Sequence, residues 1–136
     1  KKTRFISLCF SVDPALSPVE EDPARKEAAE LNLAGNCAFK DKDYDKAIRF
    51  YNYDFSRHAM SSVGYSKVPD EASYYSNRSA AYLGSGDRSR ALQDAEKVVE
   101  MRPTWYKGYS RKASVYLRLK KYKDCIETCK IGNGEQ

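Results

Sequence analysis

Tyr75-Ser76-Asn77-Arg78-Ser79-Ala80-Ala81-Tyr82-Leu83-Gly84-Ser85-Gly86-Asp87-Arg88-Ser89-Arg90-Ala91-Leu92-Gln93-Asp94-Ala95 reads as two helices hinged at a glycine turn. Its landmarks return at a fixed interval. Tyr75, Ser79, Tyr82, Gly86-Asp87, Ala91 and Ala95 reappear 34 residues later as Tyr109, Ala113, Tyr116, Lys120-Lys121, Cys125 and Cys129. The same order stands 44 residues earlier as Leu31, Gly35, Ala38, Lys42-Asp43, Ala47 and Tyr51, which leaves about ten extra residues between the first two units. A repeat of this length is one supersecondary unit that cannot bury its apolar face alone, so the units must stack.

The spacing has a steric reason. Antiparallel helices approach closely only where side chains are small, and Gly35, Ser79 and Ala113 supply that place on the first helix of each pair. Ala47, Ala91 and Cys125 supply it on the second, while Tyr51, Tyr75, Tyr82, Tyr109 and Tyr116 fill the spaces between helices. Capping chemistry sets the boundaries. Asp22-Pro23 opens the first helix and Asp41-Lys42-Asp43 turns the chain into a second, Tyr44 to about Met60. Gly64 and Pro69 mark an inserted loop over 61–69, and Asp70 caps a third helix running to Leu83. Ser89–Met101, about Trp105–Leu119 and Tyr122 to about Lys130 follow. The expected fold is all-α, three antiparallel helix pairs with units at 28–60, 72–104 and 106–131. It is preceded by an irregular leader (1–21) and followed by a short tail (132–136), the domain as a whole spanning 22–131. The third unit is short and lacks a closing polar helix. The chain has no initiator Met, so it is expected to come from a larger protein.

Of 136 residues, 41% are hydrophobic, enough for one packed core, and no apolar run approaches the roughly 18 residues that span a bilayer. Membrane insertion is therefore not expected, and the basic opening lacks the long apolar stretch of a secretory signal. The net charge of +5 is uneven: from Arg102 to Lys123 eight basic residues occur with no acid. That stretch fits an anionic partner, or simply a solvated helical face. Cys9, Cys37, Cys125 and Cys129 read as free thiols rather than a disulfide framework, three of them at small-residue positions where a thiol serves as a small hydrophobe.

At Asn77-Arg78-Ser79-Ala80-Ala81-Tyr82, Lys107-Gly108-Tyr109-Ser110-Arg111-Lys112-Ala113, Gly35-Asn36 and Asp43-Tyr44-Asp45-Lys46-Ala47-Ile48, the chain resembles the tetratricopeptide-repeat co-chaperones. That group takes in the Hsp-organising proteins, the small glutamine-rich family, and the tetratricopeptide-bearing phosphatases and immunophilins. The likeness covers roughly residues 24–130 and implies a right-handed superhelical solenoid. It also implies a carboxylate clamp that grips the C-terminal Glu-Glu-Val-Asp tail of cytosolic heat-shock chaperones. On the family's pattern the clamp residues are Asn36, Asn77, Lys107 and Arg111; the fifth position, a Lys in the family, is Asn32 here. Lys40, one turn beyond Asn36, is a possible replacement cation. The implied setting is cytoplasmic, with the nucleus as a second location.

The residues themselves support one patch. Asn32 and Asn36 are four apart, as are Lys107 and Arg111, so each pair shares a helix face. A terminal Asp offers two carboxylates, which call for several charge-assisted donors. The bland alternatives are amides that satisfy backbone groups and ordinary surface charges. Other chemistry is not expected. Cys125 and Cys129 have no second ligand pair for zinc, and His58 is the lone histidine. Gly84-Ser85-Gly86 is a turn rather than a phosphate loop, Asn77-Arg78-Ser79 lies mid-helix and is rejected as a glycosylation site, and Trp105 is assigned to packing. No catalytic signature appears, so neither an enzyme nor a cofactor is expected. A general scaffold, holding an internal segment of an assembly partner in the groove or at the insert, is the alternative function. Nucleic-acid binding through Arg102–Lys123 is the weaker one.

Overall fold

The computed structural model describes residues 23–60 and 71–134. The leader, the 61–69 insert and the expected caps Asp22 and Asp70 lie outside the described residues, as does the side chain of His58. Among the described residues there are six helices: α1 (Pro23–Lys40), α2 (Tyr44–Met60), α3 (Glu71–Ser85), α4 (Arg88–Met101), α5 (Tyr106–Arg118) and α6 (Tyr122–Gly132). Each packs on the next in sequence, and α3 also packs on α5. That pattern is a solenoid, in which each unit is held by its neighbours. Helix α3 runs two residues past the expected Leu83, α4 starts one residue before Ser89, and α6 extends to Gly132.

The three turns within helix pairs share one geometry. Lys42, Gly86 and Lys120 take φ of 62°, 93° and 59°. The following amides, Asp43, Asp87 and Lys121, each donate at 2.9 Å to Ala38, Tyr82 and Tyr116 carbonyls, closing a Schellman motif at every hinge. Asp43 and Asp87 then cap the next helix, their carboxylates accepting from the Lys46 and Arg90 amides at 3.2 and 3.1 Å. Lys121 cannot accept, so α6 begins without a side-chain cap.

Small residues carry the close approaches. Ala47, Ala91 and Ala95 are fully buried, and the Ser79 hydroxyl donates to the Ala91 carbonyl across 2.7 Å. A Cβ on Gly35 would lie 2.6 Å from the Tyr51 ring, so α1 meets α2 only because position 35 carries no side chain. Ala38, Ala47, Tyr51 and Ala81 form one buried cluster and Tyr82, Ala91 and Val115 another; Ile48 packs against both and joins them. Between α3 and α4, Arg78 donates to both carboxylate oxygens of Asp94 at 2.8 Å and to Asn52 Oδ1 at 3.0 Å. Its guanidinium also lies over Tyr75 and Tyr82.

Burial thins toward α6. Only Thr128 of that helix is buried, while Leu117, Tyr122, Ile126 and Ile131 stand exposed. A groove of about 420 Å³ between α5 and α6 is lined by Tyr106, Tyr109, Leu117, Cys125 and Cys129 among others. The thiols depart from the small-hydrophobe expectation: Cys37 and Cys129 are exposed and only Cys125 is partly covered. A helix with one packed neighbour has more solvent-facing positions than a repeat pattern alone would assign.

Candidate peptide-binding site

Arg111 stands near the middle of α5, half-buried where that helix packs against α3. Its Nε donates to Ser76 Oγ at 3.2 Å. Burial pulls its pKa below the usual guanidinium range, with the neighbouring Tyr51 hydroxyl acting in the opposite direction. Arg78 makes a useful contrast, since it is also partly desolvated. Its hydrogen bonds to Asp94 outweigh that cost and push its pKa up. Arg111 has no such carboxylate: among the described residues it makes no ion pair. A partly desolvated cation with no carboxylate beside it among the described residues is stabilised by an anion that approaches it.

Tyr51 extends the network to α1. Its hydroxyl donates to Asn36 Oδ1 at 2.7 Å, and its ring is 2% exposed. Burial pushes its pKa up to about 12, opposed by Arg111. Asn36 is therefore locked with its carbonyl toward Tyr51 and its NH₂ turned away as a donor. Through Tyr51 and Ser76, side chains from α1, α2, α3 and α5 come together around the Arg111 guanidinium.

The remaining sequence-derived positions stand at the edges of this network. Asn77 is half-buried on α3 directly after Ser76, and its side chain makes no hydrogen bond among the described residues. It occupies the repeat position that Arg111 occupies 34 residues later, so the two face the same way in successive units. Lys107 lies one turn before Arg111, exposed, with its ammonium 5.5 Å from the Trp105 ring centroid and no ion pair among the described residues. Arg102 covers the same ring at 5.0 Å, so Trp105 is a cation-bearing platform as well as a packing residue. Asn32 is half-buried one turn before Asn36, with Oδ1 buried and unpartnered among the described residues. Lys40 is exposed in the last turn of α1, and no described contact joins it to this network. Among the described residues no cluster of His, Cys, Asp and Glu could hold a metal.

Tyr51 and Ser76 were not foreseen as members of the site. Tyr51 had a readable signal. It occupies the repeat position held by Ala95 and Cys129 in the later units, and a large phenol at a small-residue position requires a special neighbour. Gly35 is that neighbour. Ser76 had no comparable signal, because a helical serine is unremarkable until a guanidinium is laid on it.

Comparison with known proteins agrees with this architecture. Residues 72–104 match the tetratricopeptide repeat family model. The Hsp70-Hsp90 organizing protein of Triticum aestivum is 38% identical over 107 residues, covering 79% of this chain and 17% of the relative. The chain thus spans about a sixth of that protein's length. Among solved structures, the Sgt2 TPR domain from Aspergillus fumigatus superposes with a TM-score of 0.66 at 32% identity, covering 78% of this chain and 64% of that one. The TPR2B domain of yeast Sti1, solved as its pHsp70 complex, gives 0.66 at 28% identity over 79% and 78% of the two chains. With its 34-residue repeat, its stacked helix pairs and these likenesses, the chain is a tetratricopeptide-repeat solenoid, similar to the repeat domains of the Hsp70-Hsp90 organizing protein, Sgt2 and Sti1.

Proposed function

We propose that this domain is a co-chaperone adaptor that binds the acidic C-terminal Glu-Glu-Val-Asp tail of cytosolic heat-shock chaperones in the hollow faced by α1, α3 and α5. The observation that carries the reading is Arg111, a partly desolvated guanidinium with no carboxylate of its own among the described residues. Lys107 stands one turn away as a second unpaired cation. In this reading Arg111 and Lys107 take the terminal carboxylate, while the Asn36 and Asn77 amides donate to the remaining oxygens and to the peptide backbone. Ser76 and Tyr51 position Arg111 and Asn36. Each charge-assisted bond contributes on the order of 1.5–3 kcal/mol, so four donors supply micromolar affinity after the cost of ordering the peptide. The eight basic residues of Arg102–Lys123 steer an acidic tail toward the site.

The names of the relatives favour the same partner. The wheat protein is called an Hsp70-Hsp90 organizing protein, and the yeast Sti1 domain was solved with pHsp70. The domain acts by holding a peptide rather than by catalysis, without metal or cofactor, and the chaperones it reads place it in the cytosol. Among the described residues no helix is long and apolar enough to cross a membrane.

The test is a fluorescence-anisotropy titration with a peptide ending Glu-Glu-Val-Asp, as the free acid and as the C-terminal amide. The free acid should bind and the amide should lose most of the affinity. Lys107→Ala and Arg111→Ala should each weaken the free acid about tenfold or more. Binding should also fall as salt rises. Equal binding of acid and amide would refute the reading.

A further inference from the structure

Lys107 is held by a ring rather than by an acid, and that difference decides what its charge can do. Its ammonium stands 5.5 Å from the centroid of the Trp105 indole, and among the described residues no carboxylate pairs with it. Lys97 and Lys112 are the contrast. Glu100 and Glu96 lie 3.2 and 3.7 Å from their ammonium groups, so each carries a counter-charge. A carboxylate orders a lysine and cancels its field, whereas an aromatic face orders it and leaves the charge whole.

The ring is itself anchored. The Trp105 amide donates to the Arg102 carbonyl at 3.0 Å, and the Trp105 carbonyl accepts from the Gly108 amide at 3.1 Å. The Tyr109 hydroxyl donates to the Pro103 carbonyl at 2.6 Å and braces the same bend. A Cβ on Gly108 would lie 3.1 Å from the Val98 and Val99 side chains, so the start of α5 sits close on α4. The indole is half-buried while Lys107 is exposed. Arg102 lies over the same ring at 5.0 Å, so two cations share one neutral surface and their fields add.

We propose that Trp105 is a positioning residue for anion binding: it holds Lys107 ordered and uncancelled, one turn from Arg111, before a carboxylate arrives. This rests on the peptide-binding reading above. A free lysine stem loses rotamer freedom when its head is fixed on a ligand, and Trp105 removes part of that loss in advance. The indole acts through Lys107, so its contribution exists only while position 107 carries a cation.

The experiment has two arms. In the first, the Lys107 ε-methylene proton resonances of the peptide-free chain are compared in wild type and Trp105→Leu. The indole ring current should shift them upfield in the wild type alone. In the second, a free-acid peptide ending Glu-Glu-Val-Asp and its C-terminal amide are titrated against wild type, Trp105→Leu, Trp105→Phe, Lys107→Met and the Trp105→Leu/Lys107→Met double variant, each checked for native helicity. Trp105→Leu should weaken the free acid about three- to tenfold, and Trp105→Phe, which keeps a ring, by less. In the Lys107→Met background the loss from Trp105→Leu should shrink to less than about twofold. Trp105 is the chain's single tryptophan, so fluorinated indoles can be incorporated there alone. Affinity should then fall with each added fluorine, which weakens the ring quadrupole and leaves the packing nearly unchanged. A Trp105→Leu loss of equal size with and without the Lys107 ammonium overturns the proposal, as does an affinity indifferent to fluorination or a missing upfield shift. If the shift is present but the free acid binds no better than the amide, the peptide-binding reading has failed and the positioning role falls with it.

Discussion

Replacing Tyr51 with Phe removes one oxygen from a ring that is 2% exposed, leaving the packing of the ring intact. Among the described residues the hydroxyl makes one hydrogen bond, to Asn36 at 2.7 Å. A bond of this kind contributes a net of about 1 kcal/mol. At neutral pH the variant should therefore be less stable by about 1 kcal/mol. The alkaline behaviour is the sharper test. The phenol has a pKa of 10.0 when unperturbed and is pushed up to about 12 in the folded chain by burial. Above pH 10 the unfolded chain releases this proton while the folded chain keeps it, so stability falls as pH climbs from 10 toward 12. At 1.36 kcal/mol per pH unit the loss reaches roughly 2 kcal/mol near pH 11.5. Phe has no proton to lose. Urea unfolding followed by circular dichroism at pH 7.5 and 11.5 should show the wild type ahead at the first pH and the variant ahead at the second. A stability gap that does not change with pH would refute the placement of the Tyr51 hydroxyl.

Three further outcomes follow from the packing. Asp94→Ala leaves the half-buried Arg78 guanidinium without its carboxylate and should cost about 3 kcal/mol in urea unfolding, whereas the added loss from Arg78→Ala in that background should be small. Gly35→Ala drives a methyl into the Tyr51 ring at 2.6 Å and should cost about 1–3 kcal/mol, partly restored by Tyr51→Leu. Lys121→Asp gives α6 the cap that Asp43 and Asp87 provide elsewhere and should raise stability by about 1 kcal/mol, read as a higher melting temperature.

The solenoid was legible because its determinants are local and repeated. Gly35, Ser79 and Ala113 recur at fixed offsets, and the turns at Lys42, Gly86 and Lys120 share one hydrogen-bond pattern that any such hinge requires. Helix ends were less legible, since the last turn of α3 and of α6 is decided by backbone geometry beyond the final patterned residue. For the site, spacing put Asn36, Asn77, Lys107 and Arg111 on helix faces but not their side chains in contact. The links that tie Arg111 to Ser76 and Asn36 to Tyr51 span 35 and 15 residues, and such pairings depend on how units stack. The orphaned carbonyl of Asn32 was invisible for the same reason, because burial of a single atom is a property of the assembled hollow.

The most direct test of a carboxylate-reading groove is a double-mutant cycle between Arg111 and the peptide's terminal group. Calorimetric affinities are needed for wild type and Arg111→Ala, each with the free acid and the amide of a peptide ending Glu-Glu-Val-Asp. If the guanidinium meets the terminal carboxylate, the two changes should be strongly non-additive, with a coupling energy of about 1.5–3 kcal/mol. Independent losses that simply add would place the carboxylate elsewhere and contradict the account.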